Sequence, residues 1–155
     1  MKKQGIIIIF LTISIVCFLL FLSTYKSKPF YLDDKYYNGG SLIEISKEEL
    51  NALEERKGSF VVFVYNPGAC CTSTVNFDSF LTDFVKTEKI DFFTISFNEI
   101  DKTSIAKHVK YYPTVVIFNK GKITAYLDAE SDNDLYYYES IAGFKEWFSK
   151  YVYLK

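Results

Sequence analysis

Cysteine is scarce in this 155-residue chain: Cys17, Cys70 and Cys71 are the only three. No two of them are spaced to close a loop, which excludes a small disulfide scaffold. Histidine is scarcer still. His108 stands alone, and one histidine with two adjacent cysteines is a poor zinc set. No block of lysine and arginine stands out and the net charge is −1. Nucleic acid is therefore not an expected partner, because phosphate binding needs clustered cations. Asp128, Glu130, Asp132 and Asp134 gather in one stretch, but the glycine and terminal glutamate of an EF-hand are missing, so they read as a solvated loop. Internal repeats and low-complexity tracts are absent. No metal and no cofactor are expected.

What is present is apolar and aromatic. Hydrophobic residues make up 49% of the chain and aromatics 19%, enough for the core of one domain and little else. The amino-terminal stretch differs from the rest. Lys2 and Lys3 precede an uncharged run from Gly5 to Leu22, followed by Ser23-Thr24-Tyr25-Lys26. As a helix that run would be about 27 Å long at 1.5 Å per residue, close to a bilayer core. A charged start and apolar middle also fit a secretory signal, but no good small-x-small cleavage site lies near Ser23 to Ser27. Residues 1–25 are thus expected to be a single-pass anchor or a signal segment, with the anchor favoured. The short head before the run places the amino terminus inside, the domain outside the cytoplasm and its thiols in an oxidising setting. Residues 26–40 carry the breakers Lys26-Ser27-Lys28-Pro29 and Asn38-Gly39-Gly40 with no clean period between them, and read as a tether. The domain is expected over 41–155.

Within it, Ser46 and Glu49 form a capping box ahead of Leu50 and Leu53, with Gly58 as the helix stop. Residues 60–66 read as a central strand, apolar on both faces. Residues 73–87 read as a helix with an apolar stripe of Val75, Phe77, Phe80, Leu81, Phe84 and Val85. Strands follow at 91–97, 114–119 and 122–127, the last two joined at Lys120-Gly121. A short helix is expected over 104–109. A final helix over about 137–152 should turn Ile141, Phe144, Trp147, Phe148 and Tyr151 inward. Crossovers early and a hairpin late imply an α/β domain with a mixed central sheet flanked by helices.

Two short stretches carry the chemistry. The strand Phe60-Val61-Val62-Phe63-Val64-Tyr65 runs through Asn66-Pro67-Gly68-Ala69 into Cys70-Cys71, just where the next helix begins. The working form of cysteine is the thiolate, and a helix amino terminus stabilises it. The other stretch is Tyr112-Pro113-Thr114, followed by Val115-Val116-Ile117-Phe118 and Asn119-Lys120-Gly121-Lys122. Cys70 and Pro113 are 43 positions apart.

Together these resemble the thioredoxin-like family, across about residues 42–152. The resemblance implies a thioredoxin fold, a cis proline at Pro113 beside the thiols, and thiol–disulfide exchange on protein substrates. It implies Cys70 and Cys71 as catalytic residues and Tyr112, Pro113 and Thr114 as substrate-binding ones. Two registers stay open. With Tyr65 as the aromatic five residues before the nucleophile, the motif is Cys70-Cys71-Thr72-Ser73, similar to the Cys-x-x-Ser of monothiol glutaredoxins. Starting from Phe63 instead, Gly68 takes the nucleophile slot and Cys71 the resolving one. Neither is a Cys-x-x-Cys. Val64 stands where the family often has a buried acid, and Ala69 where it has a tryptophan. Bonding Cys70 to Cys71 directly is awkward, since disulfides want Cα atoms roughly 4.4–6.8 Å apart and a trans step is about 3.8 Å. A non-catalytic binding module is the alternative. Copper handling by the adjacent thiols is disfavoured for want of a second soft ligand. More loosely, the anchor, the size and the Tyr-, Phe- and Lys-rich composition resemble thioredoxin-like accessory proteins of bacteriocin export in Gram-positive bacteria. The partner that would recharge the thiols is not legible.

Overall fold

The computed structural model describes residues 28–67 and 72–155, and side chains in the second stretch from Phe77 onward. The expected anchor and both cysteines of the Cys70-Cys71 pair lie outside the described residues. Among those described, no helix is long and apolar enough to cross a membrane.

Among the described residues, five strands form one sheet in the order β1-β3-β2-β4-β5. They are β1 (Leu42–Glu44), β2 (Phe60–Tyr65), β3 (Phe92–Ser96), β4 (Thr114–Asn119) and β5 (Lys122–Tyr126). Parallel pairing joins β1 to β3 and β3 to β2, whereas β2 with β4 and β4 with β5 are antiparallel. The sheet is therefore mixed, as expected. The unbroken apolar runs of β2 and β4 follow from their central position. Phe60 to Val64 and Thr114 to Phe118 are all buried, because both faces of these strands are covered.

Helix α1 (Lys47–Glu55) makes the crossover from β1 to β2, and α2 (Thr72–Glu88) the crossover from β2 to β3. The capping box is formed: Glu49 N–H donates to Ser46 Oγ at 3.2 Å and Ser46 N–H to Glu49 Oε2 at 2.8 Å. On α2, Phe77, Leu81, Phe84 and Val85 are buried, and Phe84 meets Phe144 edge-on at 4.9 Å. The β4–β5 turn places Lys120 at φ 51° and Gly121 at φ 72°, the two positive angles that a two-residue hairpin needs. A Cβ at Gly121 would come within 2.2 Å of the Glu54 carbonyl oxygen, so this position also requires glycine for close packing on α1.

Three smaller points differ from expectation. The helix foreseen over 137–152 is two, α3 (Leu135–Tyr138) and α4 (Ile141–Ser149). Ser140 interrupts it, its Oγ accepting the Gly143 amide at 3.1 Å as a new N-cap. Ile141 is consequently exposed, while Phe144, Trp147 and Phe148 face the core. Strand β1 was not anticipated. The short helix over 104–109 is a single 3-10 turn, Ile105–Lys107.

The largest correction concerns the tether. From Phe30 onward it is part of the domain. Leu32, Tyr36 and Tyr37 are 3%, 5% and 6% exposed. Phe30 bridges Val152 and Tyr37 bridges Ile90. The Tyr37 hydroxyl accepts the Leu32 amide at 3.1 Å and donates to the Tyr153 carbonyl at 2.9 Å. Gly39 sits against Asp91, whose carboxylate occupies the space a Cβ would need and accepts the Gly40 and Ser41 amides, each at 2.9 Å. Isolated bridges of this kind impose no hydrophobic period, which is why the segment looked irregular in sequence.

Candidate functional site

Register decides what meets at the site. Antiparallel pairing sets Val64 of β2 opposite Thr114 of β4. Tyr112 and Pro113, just ahead of Thr114, therefore lie where β2 ends at Tyr65. From there the chain passes through Asn66 and Pro67, and helix α2 begins at Thr72. Cys70 and Cys71 fall between those described points. The Tyr112–Pro113 peptide bond is cis.

Each part of the 111–114 corner is held differently. Thr114 is 2% exposed, and its Oγ1 donates to the Tyr111 carbonyl at 2.9 Å. Its side chain is thus engaged within the corner. Pro113 is buried, Tyr112 half-buried and Tyr111 exposed. The Tyr112 ring packs on Phe97 at 5.1 Å between centroids.

The Pro113 carbonyl is gripped from α3. The Tyr138 hydroxyl lies 2.9 Å from both the Pro113 and the Leu127 carbonyl oxygens and shares its one proton between them. The Tyr138 ring packs on Phe77 of α2 at 4.7 Å. One side chain thereby ties the proline corner to β5's exit and to the helix that follows the cysteines. Burial holds the Tyr138 phenol well above the ordinary tyrosine range. Sequence reading missed Tyr138 because nothing local distinguishes it from Tyr136 and Tyr137.

Carboxylates surround this end of the sheet. Tyr65 donates its hydroxyl to Glu44 Oε1 at 2.9 Å, and that bond, with burial and the charges of Glu44 and Glu99, raises its pKa. The Tyr111 phenol is raised chiefly by its hydrogen bond to Glu130, then by the charges of Glu130 and Asp128. Val64, where a proton-relaying acid was sought, is fully buried between its neighbours in the sheet. His108 packs its ring on Tyr126 at 5.6 Å. Among the described residues no group of three or more His, Cys, Asp or Glu side chains is placed to hold a metal ion.

A parallel βαβ start, an antiparallel hairpin end and a cis proline opening β4 define a thioredoxin fold. Solved structures agree. The chain is similar to oxidised thioredoxin from Plasmodium falciparum, at 17% identity and TM-score 0.52, over 73% of this chain and 100% of that one. It is similar to the reduced thioredoxin pre-protein of Schistosoma mansoni, at 16% identity and TM-score 0.52, over 72% and 99%. Against the J-Trx1 fragment of ERdj5, at 20% identity and TM-score 0.48, it covers 70% of its own length and about half, 52%, of the fragment. No protein-family model and no curated protein matches the sequence.

Proposed function

We propose that this domain carries out thiol–disulfide exchange on protein substrates, tethered by residues 5–22 to the outer face of a cell membrane. The supporting observation is the Val64–Thr114 register, which sets the Tyr112–Pro113 corner beside the end of the strand that leads to Cys70. In this reading the Cys70 thiolate attacks one sulfur of a substrate disulfide. A Cys70–substrate bond forms, the substrate's own S–S bond breaks, and the departing thiolate takes a proton from water. Ser73 cannot resolve that adduct. Release then needs another thiol: one on the substrate, Cys71, or an external thiol. When the substrate's thiol returns, its disulfide is rearranged with no net change in electrons. Tyr112 to Thr114 would present backbone to an extended substrate in the manner of strand addition.

A second reading, a binding module without turnover, draws support from Ser73 and Val64 at positions where an active family member would have a thiol and an acid. A bacteriocin-export setting rests on composition and the apolar run alone.

The decisive experiment is alkylation rate against pH for each cysteine in turn. Exchange requires Cys70 to react with a midpoint well below the roughly 8.5 of an unperturbed thiol, and Cys70→Ser to abolish mixed-disulfide trapping. Ordinary midpoints at both cysteines, with a partner retained after both become serine, would establish the binding module instead.

A further inference from the structure

The corrected tether has a consequence for orientation. We infer that the end of the domain opposite the proline corner rests on the bilayer into which residues 5–22 insert, with anionic lipid headgroups as its partner. This depends on the anchor reading above.

Chain length makes the first case. Had the tether run to residue 40, the stretch from Leu22 to Ser41 could reach about 65 Å at roughly 3.5 Å per residue. Ordered pairing now begins at Phe30, whose amide donates to the Tyr151 carbonyl at 2.9 Å. The reach from Leu22 to Phe30 is at most about 28 Å. A domain of this size has a radius of gyration of about 14 Å and is about 36 Å across. Even at full stretch, the link is shorter than the domain is wide. The Phe30 corner is held near the headgroups.

That corner has the chemistry of an interface. Tyr31 and Tyr153 are 56% and 42% exposed, and their rings lie 4.8 Å apart as one aromatic pair. Tyrosine side chains of this kind settle at headgroup level, with the ring in apolar surroundings and the hydroxyl wet. Exposed lysines accompany them. Lys28 and Lys35 lie on the same segment. Lys155 reaches across to Asp34 and over the Tyr31 ring. Lys57 and Lys120 adjoin Gly58 and Ser59, where the Asp33 amide and the Lys120 amide both land. Asp33 and Asp34 are the counter-charges on this segment. Asp33 accepts the Ser59 amide and Asp34 pairs with Lys155. Neighbouring Glu55 and Arg56 cancel. With Asp91, which accepts the Gly40 and Ser41 amides, three carboxylates stand against Lys28, Lys35, Lys57, Lys120 and Lys155 here, whereas Glu44, Glu99, Asp128 and Glu130 gather at the proline corner, which Lys107 and Lys110 precede in sequence. A molecule charged this way turns its basic end toward an anionic surface and its acidic end away.

Residues 30–37 meet the start of β2 through the Asp33–Ser59 bonds, while the candidate site lies past its other end. Six strand residues at about 3.3 Å place the two ends about 20 Å apart. Docked in this way, the proline corner faces the aqueous space, and substrates reach it from outside the membrane plane.

Lysine acylation footprinting tests this on the full chain. The protein is reconstituted at one copy per nanodisc, in phosphatidylcholine with and without a quarter phosphatidylglycerol, and compared with detergent micelles. Lys28, Lys35 and Lys155 should lose reactivity by several-fold in the anionic discs, while Lys107 and Lys110 keep theirs. Tyr31→Ser with Tyr153→Ser should restore the lost reactivity. Incorporation into discs with no change at Lys28, Lys35 and Lys155 overturns this inference alone. Protection that appears only with two copies per disc overturns it in favour of self-association. Failure of the chain to float with lipid vesicles at all overturns both this inference and the anchor beneath it.

Discussion

The two ends of the sheet use tyrosine hydroxyls for different purposes. At the base, Tyr37 closes a permanent joint, linking the incoming segment at Leu32 to the carboxy-terminal tail at Tyr153. At the other end, the Tyr138 hydroxyl lies between two carbonyl acceptors, Leu127 and Pro113, the second a residue of the candidate site. The base is stitched by bridges, stacked rings and lysine contacts. The upper end is rimmed by carboxylates and keeps Tyr111 exposed. Backbone joints and ring contacts tie the base together, and carboxylates and phenols gather around the proline corner.

The strongest challenge to this contrast is Phe60→Ala. Phe60 is buried at the base and stacks on Phe118 at 4.5 Å. Its loss should cost about 3–5 kcal/mol in denaturant melts; a cost below 1 kcal/mol would show that the base is not the stable end. Next comes the tyrosine pair. Tyr37→Phe and Tyr138→Phe should each cost about 1–3 kcal/mol, because each removes the hydroxyl that bridges two backbone groups. Only Tyr138→Phe should also slow reaction of Cys70 with a peptide disulfide. Equal slowing by both would erase the distinction between joint and positioning residue.

Alkaline pH sharpens the comparison further. Burial raises the pKa of both Tyr37 and Tyr138 in the folded chain. The folded state therefore holds these protons more tightly than the unfolded one. Their contribution is complete below about pH 10, the unfolded value, and declines as pH rises through the folded values. Thermal melts from pH 8 to 11 should fall steeply at the top of that range, and less steeply in Tyr138→Phe. The smallest effect belongs to Ser46→Ala, which removes the α1 cap and touches neither tyrosine joint. It should cost about 1 kcal/mol and leave cysteine reactivity unchanged.

Much of the fold was legible because its signals are local. Ser46 and Glu49 cap a helix through contacts three residues apart. Lys120-Gly121 turns a hairpin through its own backbone angles. The apolar runs of β2 and β4 declare strands covered on both faces. Strand β1 escaped because three residues, Leu42 to Glu44, carry no period and are strand only through pairing with β3. The segment from Phe30 to Tyr37 escaped for the same reason, its partners Val152 and Ile90 being far along the chain. At the site, Tyr112-Pro113-Thr114 could be singled out from its neighbours, but not the fact that the Thr114 hydroxyl is turned back on Tyr111. Nor could sequence single out Tyr138 from two adjacent tyrosines.

By itself, then, the order of residues determined most of the element types, the mixed α/β architecture and the two stretches worth watching. Each depends on interactions among residues close in sequence, or on burial periodicity that any segment displays alone. Tertiary structure alone decided which end of the sheet holds the proline corner, which tyrosine grips it, and that the segment from Phe30 to Tyr37 packs on the domain. Those outcomes rest on contacts between residues from 25 to more than 100 positions apart, whose partners no local pattern names.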